Sequence, residues 1–378
     1  MESVKLFWLF GLLIIGSAGE CMGVMGGHGP RRCSFPAIFN FGDSNSDTGG
    51  RSAAISEVFL PNGETFFGKA SGRFCDGRLI LDFISETLGL PYLNAYLDSM
   101  GTNFWHGANF ATGGSSIRPG GYSPFHLEIQ LAQFKRFKSQ TTALFLQLNH
   151  NCTTAPFKSE VPRPRDFSKA LYTIDIGQND LAYGFQHTNE EKVLASIPDI
   201  LNVLSGVVHQ LYEEGGRTFW IHNTGPIGCL PYSVIYYQQK PRNLDRYGCV
   251  KPHNKVAQEF NKQLKDMVIK LRAQLPHAEF TYVDVYSVKY SLVSQAKDLG
   301  FVDLMNFCCG SYYGYHVECG QKAVVNGTVY GIPCEHPSRH ISWDGTHYSE
   351  AANEWVAKAI LNGSFSDPPI PVSEACHQ

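Results

Sequence analysis

Residues 37–49 read Ala37-Ile38-Phe39-Asn40-Phe41-Gly42-Asp43-Ser44-Asn45-Ser46-Asp47-Thr48-Gly49. The run from Ala37 to Phe41 is short and apolar, and Gly42 with the polar residues behind it closes the run. That pattern predicts a buried strand followed by a turn that carries a serine. Leu171–Ile176, Thr218–His222 and Phe280–Val285 repeat the character of the first strand. Between them the apolar residues follow helical spacing: Leu79, Ile80, Phe83, Ile84 and Leu88; Ile197, Ile200, Leu201, Leu204, Val208 and Leu211. A third stripe, Val256, Phe260, Leu264, Val268 and Leu271, runs within residues 254–275, and a last helix is expected after Ser349. Strands alternating with helices of this length predict an α/β fold, a central parallel sheet sandwiched between helices. No internal repeat and no linker divides the chain, so residues 33–378 read as one large domain.

The segment before it reads differently. Lys5 precedes the apolar run Leu6–Ile15, and Gly16-Ser17-Ala18-Gly19 follow. Such a run is too short to span a bilayer, which takes about 20 residues. Residues 1–19 therefore read as a cleaved signal peptide, and the glycine-rich residues 20–32 as a flexible leader. No later stretch reaches 18 uninterrupted apolar residues, so stable membrane insertion is not expected.

The cysteines agree with export. There are 11 in 378 residues, and no C-x-x-C spacing suggests a zinc site. An oxidising compartment would pair several of them. Cys229 and Cys249 make the best local pair; Cys308, Cys309, Cys319 and Cys334 are expected to pair among themselves. The odd total leaves at least one thiol free or removed. Glycosylation sequons stand at Asn151, Asn326 and Asn362. The expected location is extracellular.

Composition excludes several other classes. With 31 Lys+Arg against 34 Asp+Glu the formal charge is −3, so a basic nucleic-acid footprint is missing. His336 and His340 are four apart, but Pro337 between them breaks a helical ligand pair, and no H-E-x-x-H occurs. No metal and no cofactor is expected. Gly63–Ala70 resembles a phosphate loop but ends in Ala where Ser or Thr is needed.

What chemistry remains starts at Ser44. A serine after the first strand of an open α/β sheet lies where such sheets bind ligands. Its hydroxyl is a poor nucleophile until a base takes the proton. Asp344-Gly345-Thr346-His347 supplies an imidazole with a carboxylate three residues earlier, close enough to orient one ring nitrogen. An oxyanion would need backbone N–H groups and an amide. The stretch Gly107-Ala108-Asn109-Phe110-Ala111-Thr112-Gly113-Gly114 offers the first, and Asn179 in Ile176-Gly177-Gln178-Asn179-Asp180 the second. Taken singly, Ser44 and Asp344 are also plausible helix caps, Asn179 turn chemistry and the glycine pair a tight loop. Their order along the chain, each after a strand or before a helix, lifts the set.

These four segments resemble the ordered blocks of the GDSL (SGNH-hydrolase) esterase/lipase family, in its plant secreted, early-nodulin-like and acetylesterase-like branch. The resemblance spans about Cys33 to Cys376, including Pro61-Asn62-Gly63, Gly72-Arg73-Phe74-Cys75-Asp76-Gly77-Arg78 and Ile221-His222-Asn223-Thr224-Gly225-Pro226-Ile227-Gly228-Cys229. It implies a flavodoxin-like three-layer sandwich, with Ser44 as nucleophile, His347 as base and Asp344 as its partner. It also implies an oxyanion hole from Ser44 N–H, Gly114 N–H and the Asn179 amide. Gly114 is preferred to Gly113 because the family glycine lies five residues after the asparagine of its block, here Asn109. Cys75 departs from the family's common serine and stands as a candidate free thiol.

The implied activity is hydrolysis of a carboxylic ester, small or glycan-borne, with acetyl or another short acyl group the first expectation. An acyltransferase would use the same acyl-serine with a different acceptor. A non-catalytic binding or defence protein is the remaining class, and the intact Ser44, Asn179 and His347 count against it. A glycosidase would need two carboxylates flanking a sugar, and no such pair stands out. The wall of the pocket is expected from the polar, irregular stretch Gly120–Phe167, and Tyr312, Tyr313 and Tyr315 from a disulfide-pinned loop.

Overall fold

Alternate residues of a strand point to opposite faces, and here both faces are apolar, as in parallel sheets covered twice by helices. The computed structural model describes residues 32–150, 160–237, 243–302, 305–311 and 316–377. The strands are β1 (Ile38–Gly42), β2 (Gly107–Asn109), β3 (Leu171–Asp175), β4 (Thr218–His222), β5 (Glu279–Val283), β6 (Ala323–Val325), β7 (Thr328–Tyr330) and β8 (Ser366–Asp367). The main sheet runs β2-β1-β3-β4-β5-β8, and β6-β7 form a separate hairpin. The first five strands are mutually parallel in the order 2-1-3-4-5 of flavodoxin-like sheets.

The sheet carries its core as rows. Phe39, Tyr172, Phe219 and Phe280 are register neighbours on β1, β3, β4 and β5. Successive ring centroids lie 5.4, 5.4 and 4.8 Å apart. The helices are α1 (Gly50–Ala54), α2 (Glu64–Phe67), α3 (Ile80–Thr87), α4 (Leu127–His150) and α5 (Gln178–His187). They continue as α6 (Glu190–Glu213), α7 (Pro231–Tyr236), α8 (Lys251–Gln274), α9 (Val285–Ser294) and α10 (Glu350–Leu361). Phe134 of α4, Leu204 of α6 and Phe260 of α8 pack on the aromatic face. On the other face Ile38, Leu171, Trp220 and Val283 meet Ile84 of α3, Leu292 of α9 and Val356 of α10. That makes the three layers of the expected sandwich. The four helical stripes read from sequence become α3, α6, α8 and α10, the last capped by Ser349 Oγ accepting from Ala352 N–H at 3.2 Å.

Three expectations need correction. The edge strand β8 runs antiparallel to β5, so the sheet is mixed at one margin; two residues followed by Pro368 carry no periodic signal. Gly107–Asn109 is a strand, and only the residues after it form the glycine loop. Within Gly120–Phe167, residues Leu127–His150 form α4, whose Leu127, Leu131, Phe134 and Phe137 enter the core; its many Gln, Lys and Thr dilute that stripe. From this segment Tyr122 reaches the wall of the candidate site.

Four disulfides join the described cysteines: Cys33–Cys376, Cys229–Cys249, Cys308–Cys334 and Cys309–Cys319. Cys75 is a buried free thiol. Cys21, Cys152, residues 1–31, Asn151, Tyr312, Tyr313 and Tyr315 lie outside the described residues. Asn326 and Asn362 are both exposed, the first at the tip of the β6-β7 hairpin.

Because Phe219 is fully buried between two rings of its row, Phe219→Ala is expected to cost about 3–5 kcal/mol of stability. Equilibrium urea unfolding of both proteins measures it.

Candidate active site

Three neighbouring strands end at one place, and each releases one piece of the site. Ser44 follows β1, the Gly113-Gly114 loop follows β2, and Asn179 is the second residue of α5 after β3. The turn from β1 is closed tightly: a Cβ at Gly42 would lie 2.3 Å from Ser46 Oγ and 2.7 Å from the Asp175 carbonyl oxygen. Gln130 of α4 pairs with the same residue, its amide donating to Gly42 O at 2.8 Å and accepting from Gly42 N–H at 2.9 Å. Behind the turn Asn40 Nδ2 donates to Asn109 Oδ1 at 2.7 Å and to Ser46 Oγ at 3.0 Å. Asn109 Nδ2 in turn donates to Ser46 O at 2.6 Å and Thr48 Oγ1 at 2.9 Å. This buried amide ladder fixes where Ser44 emerges.

The imidazole arrives from the loop before α10. His347 Nε2 lies 2.7 Å from Ser44 Oγ, and its Nδ1 lies 2.6 Å from Asp344 Oδ2. The other carboxylate oxygen of Asp344 accepts from the Thr346 and His347 N–H groups at 2.9 and 2.7 Å. With Nδ1–H donated to a carboxylate, Nε2 is the acceptor that faces the hydroxyl. Burial alone would raise the Asp344 carboxyl, but the His347 charge and these hydrogen bonds hold it below the ordinary carboxylate range. The Phe74 ring lies 5.0 Å from the imidazole and packs beside it.

The donors fall into two groups. Among the described residues no acceptor sits on the Ser44 or Gly114 N–H, and both residues line one cavity of about 240 Å³ with His347. The Gly113 N–H is taken by Asp47 Oδ2 at 2.7 Å, so the structure separates the two glycines by their partners. Asn179 Nδ2 donates to Ser115 O at 2.9 Å and to Asp43 Oδ2 at 3.2 Å. An oxyanion approaching Asn179 must displace one of these, and the longer contact, to Asp43, is the weaker.

Asp47, Asp43 and Gln130 join the site in the structure without a role marked for them in the sequence. Asp47 and Gln130 act through loops distant in sequence, so no local spacing marks them. The sequon residues Asn326 and Asn362 stand apart from the residues gathered around Ser44, and among the described residues no His/Cys/Asp/Glu group could hold a metal ion.

A hydroxyl, an imidazole and a carboxylate in hydrogen-bonded line, at the carboxyl ends of a parallel sheet, define the machinery of a serine acyl-transfer enzyme. The chain belongs to the GDSL-like lipase/acylhydrolase family, whose model matches residues 38–360. Its curated relatives include a GDSL esterase/lipase of Arabidopsis thaliana, 51% identical over 92% of this chain and 90% of the relative. An esterase of Hevea brasiliensis is 48% identical over 92% of this chain and 90% of its own. A third, alpha-L-fucosidase 3 of Arabidopsis thaliana, is 47% identical over 88% and 91%.

Replacing Asn179 by Ala is expected to lower kcat by about 10²–10³ with KM little changed, as for loss of one oxyanion donor; steady-state kinetics read it directly. A second expectation concerns pH. Burial, then the charge of Asp175, raises the Asp43 carboxyl to about 7. The unfolded chain loses that proton near its ordinary value of about 3.9. The folded state therefore holds the extra proton between those values, and the stability it contributes is complete below about pH 4 and lost as pH rises through about 7. Asp43→Asn is expected to flatten that decline, measured by unfolding at several pH values across the window.

Proposed function

We propose that the protein is a secreted serine esterase that cleaves carboxylic esters through an acyl intermediate on Ser44. The observation that carries this reading is the 2.7 Å contact between Ser44 Oγ and His347 Nε2 beside two backbone N–H groups with no acceptor of their own. His347 takes the hydroxyl proton as Ser44 Oγ attacks the ester carbonyl carbon. The carbonyl oxygen becomes an oxyanion, received by the Ser44 and Gly114 N–H groups and by Asn179 once it turns from Asp43. The C–O bond to the alcohol then breaks, and the alcohol leaves with the proton held on His347 Nε2. Water enters, gives its proton to the same nitrogen and attacks the acyl-serine; the acid departs and Ser44 recovers its proton.

Asp344 is committed to the imidazole ring and to two backbone N–H groups, and Asp43 accepts from Asn45 and Asn179. Glu57 and Glu318 also line the cavity, but the hydrogen-bonded line from Ser44 through His347 to Asp344 serves acyl transfer rather than glycoside cleavage, so the ester reading is preferred for this chain over the activity named for the fucosidase relative. A small or glycan-borne ester fits the polar lining beside Ser44, where Arg51, Glu318 and Gln321 stand. Four disulfides support an oxidising compartment, and with it export to the apoplast or cell wall.

Hydrolysis of p-nitrophenyl acetate, butanoate and octanoate tests the reading. Turnover is expected with the wild type and a loss on the order of 10⁴–10⁶-fold in Ser44→Ala, with a fluorophosphonate adduct on Ser44 by mass spectrometry. Ester turnover that survives Ser44→Ala would refute the assignment.

A further inference from the structure

Asn179, Tyr122 and Thr346 are shared by two cavities. The first is the polar one already described, lined by Ser44 and His347. The second, about 210 Å³, is bounded by Tyr122, Ala182, Ile227, Leu230, Tyr232 and Tyr237, and neither Ser44 nor His347 lines it.

The chemistry of the ester assigns the two spaces. The departing alcohol takes its proton from His347 Nε2, so its oxygen has to lie within hydrogen-bond reach of that ring. The alcohol half therefore belongs to the cavity that His347 lines. The acyl half, anchored by its oxyanion at Asn179, extends past that side chain into the other. There it meets aliphatic side chains and three tyrosine rings.

Those rings are held in place from outside the cavity. Tyr122 packs edge-on against Tyr183 at 5.3 Å, Tyr232 lies 4.6 Å from Tyr236, and Tyr237 packs edge-on against His253 at 4.7 Å. The Gln186 amide donates to the Tyr232 hydroxyl, giving the apolar space a polar clasp. Aromatic walls favour a flat ring over a flexible chain, because aromatic pairs gain beyond area burial and the ring loses little rotamer freedom. An acetyl group would leave most of this space to water.

We propose that the acyl half of the preferred substrate carries an aromatic ring, as in a phenylpropanoyl ester, and that the Tyr122–Tyr232–Tyr237 cavity selects it. The inference rests on the esterase reading above and names the acyl class that reading leaves open.

Methyl 3-phenylpropanoate and methyl butanoate share their alcohol and nearly share carbonyl reactivity, so their kcat/KM ratio isolates the ring. The ratio is expected to exceed tenfold in the wild type and to fall at least tenfold in Ala182→Phe, whose own ring fills the space. Ala182→Val, a smaller intrusion, is expected to move the ratio in the same direction and covers a failure of the larger variant to fold. A ratio near one, or one that neither variant moves, overturns the proposal. So does a ring preference found on the alcohol side, as benzyl acetate over ethyl acetate, with none on the acyl side. Binding of the same methyl esters to Ser44→Ala, followed by calorimetry, is independent of turnover. Tighter binding of the phenylpropanoate that weakens in Ser44→Ala/Ala182→Phe supports the cavity even if the esterase reading fails; equal binding of both esters overturns it.

Discussion

One buried carboxylate, Asp47, holds together the two loops on which the site depends. Its Oδ1 accepts from the Gly49 and Gly50 N–H groups at 2.8 and 2.6 Å. Its Oδ2 accepts from Arg51 N–H at 3.0 Å and from Gly113 N–H at 2.7 Å. Charge-assisted bonds of this kind are the strong ones; burial raises the Asp47 carboxyl, and the four N–H donors act against that rise. Three of the donors open α1, a helix of five residues that propensity alone would not sustain. The fourth belongs to the loop after β2. The serine turn and the glycine loop are thus positioned by one group, and Arg51 Nη1 closes the circuit by donating to Gly113 O at 3.3 Å. Because Asp47 consumes the Gly113 N–H, Gly114, at φ +82°, is the residue whose N–H remains to face a substrate.

Beneath this clasp lies a second layer of buried ionisable groups. Lys289 on α9 is 5% exposed, with its ammonium 4.5 Å from the Tyr348 ring centroid. Burial lowers its pKa, while the charges of Asp175 and Asp43 act to raise it. His222 accepts from Trp220 Nε1 at 3.0 Å, which leaves the proton on Nδ1, 3.4 Å from Asp175 Oδ2. The Asp175 carboxyl is held low against its own burial by that histidine and by Lys289. Asp43, raised to about 7 by burial and by the Asp175 charge, is the carboxyl of the layer that takes up a proton most readily. A neutral carboxyl accepts more weakly than a carboxylate. The Asn179 contact to Asp43 is therefore the softer of its two, and the shorter bond to Ser115 O holds the amide.

The parts legible in the sequence share a property: their signal is local. β1, β3, β4 and β5 are apolar runs closed by turns, and α3, α6, α8 and α10 carry apolar stripes, so period and punctuation suffice. Ser44, Asn179 and His347 stand at the ends of such elements, and Asp344 is within one turn of His347. Their assembly was read from block order and family resemblance, since no spacing rule joins Ser44 to a histidine about 300 residues later. What stayed hidden depends on contacts between distant segments. β2 and β8 are too short for a period. Gln130 is one polar residue on a helix face, and its function exists only because Gly42 lies under it. Asp47 looks like an ordinary turn residue until Gly113 is brought to it. The tyrosine-lined cavity draws its walls from α5, α7 and the loop before α4, so it has no sequence motif.

The wall that carries Glu318 and Gln321 follows a different physical rule. Among the described residues from 301 to 340, regular strand is confined to the β6-β7 hairpin, whose Val324 and Val329 are exposed. The small core here is Cys308, Cys309 and Trp343, with Cys319 and Cys334 packed against it. Two disulfides take the place of the apolar layer that so short a segment cannot supply. The same core grips the turn that carries His347. Cys308 and Cys309 donate their N–H groups to Trp343 O at 2.9 and 2.7 Å, and Trp343 Nε1 donates to Asn62 Oδ1 at 2.9 Å. Trp343 immediately precedes Asp344, and its N–H donates to His347 O at 2.8 Å. The segment that presents Glu318 and Gln321 to the cavity and the turn that carries the imidazole are therefore anchored on one disulfide-built unit. The disulfides Cys308–Cys334 and Cys309–Cys319 thus build the unit on which both the Glu318–Gln321 wall and the His347 turn rest.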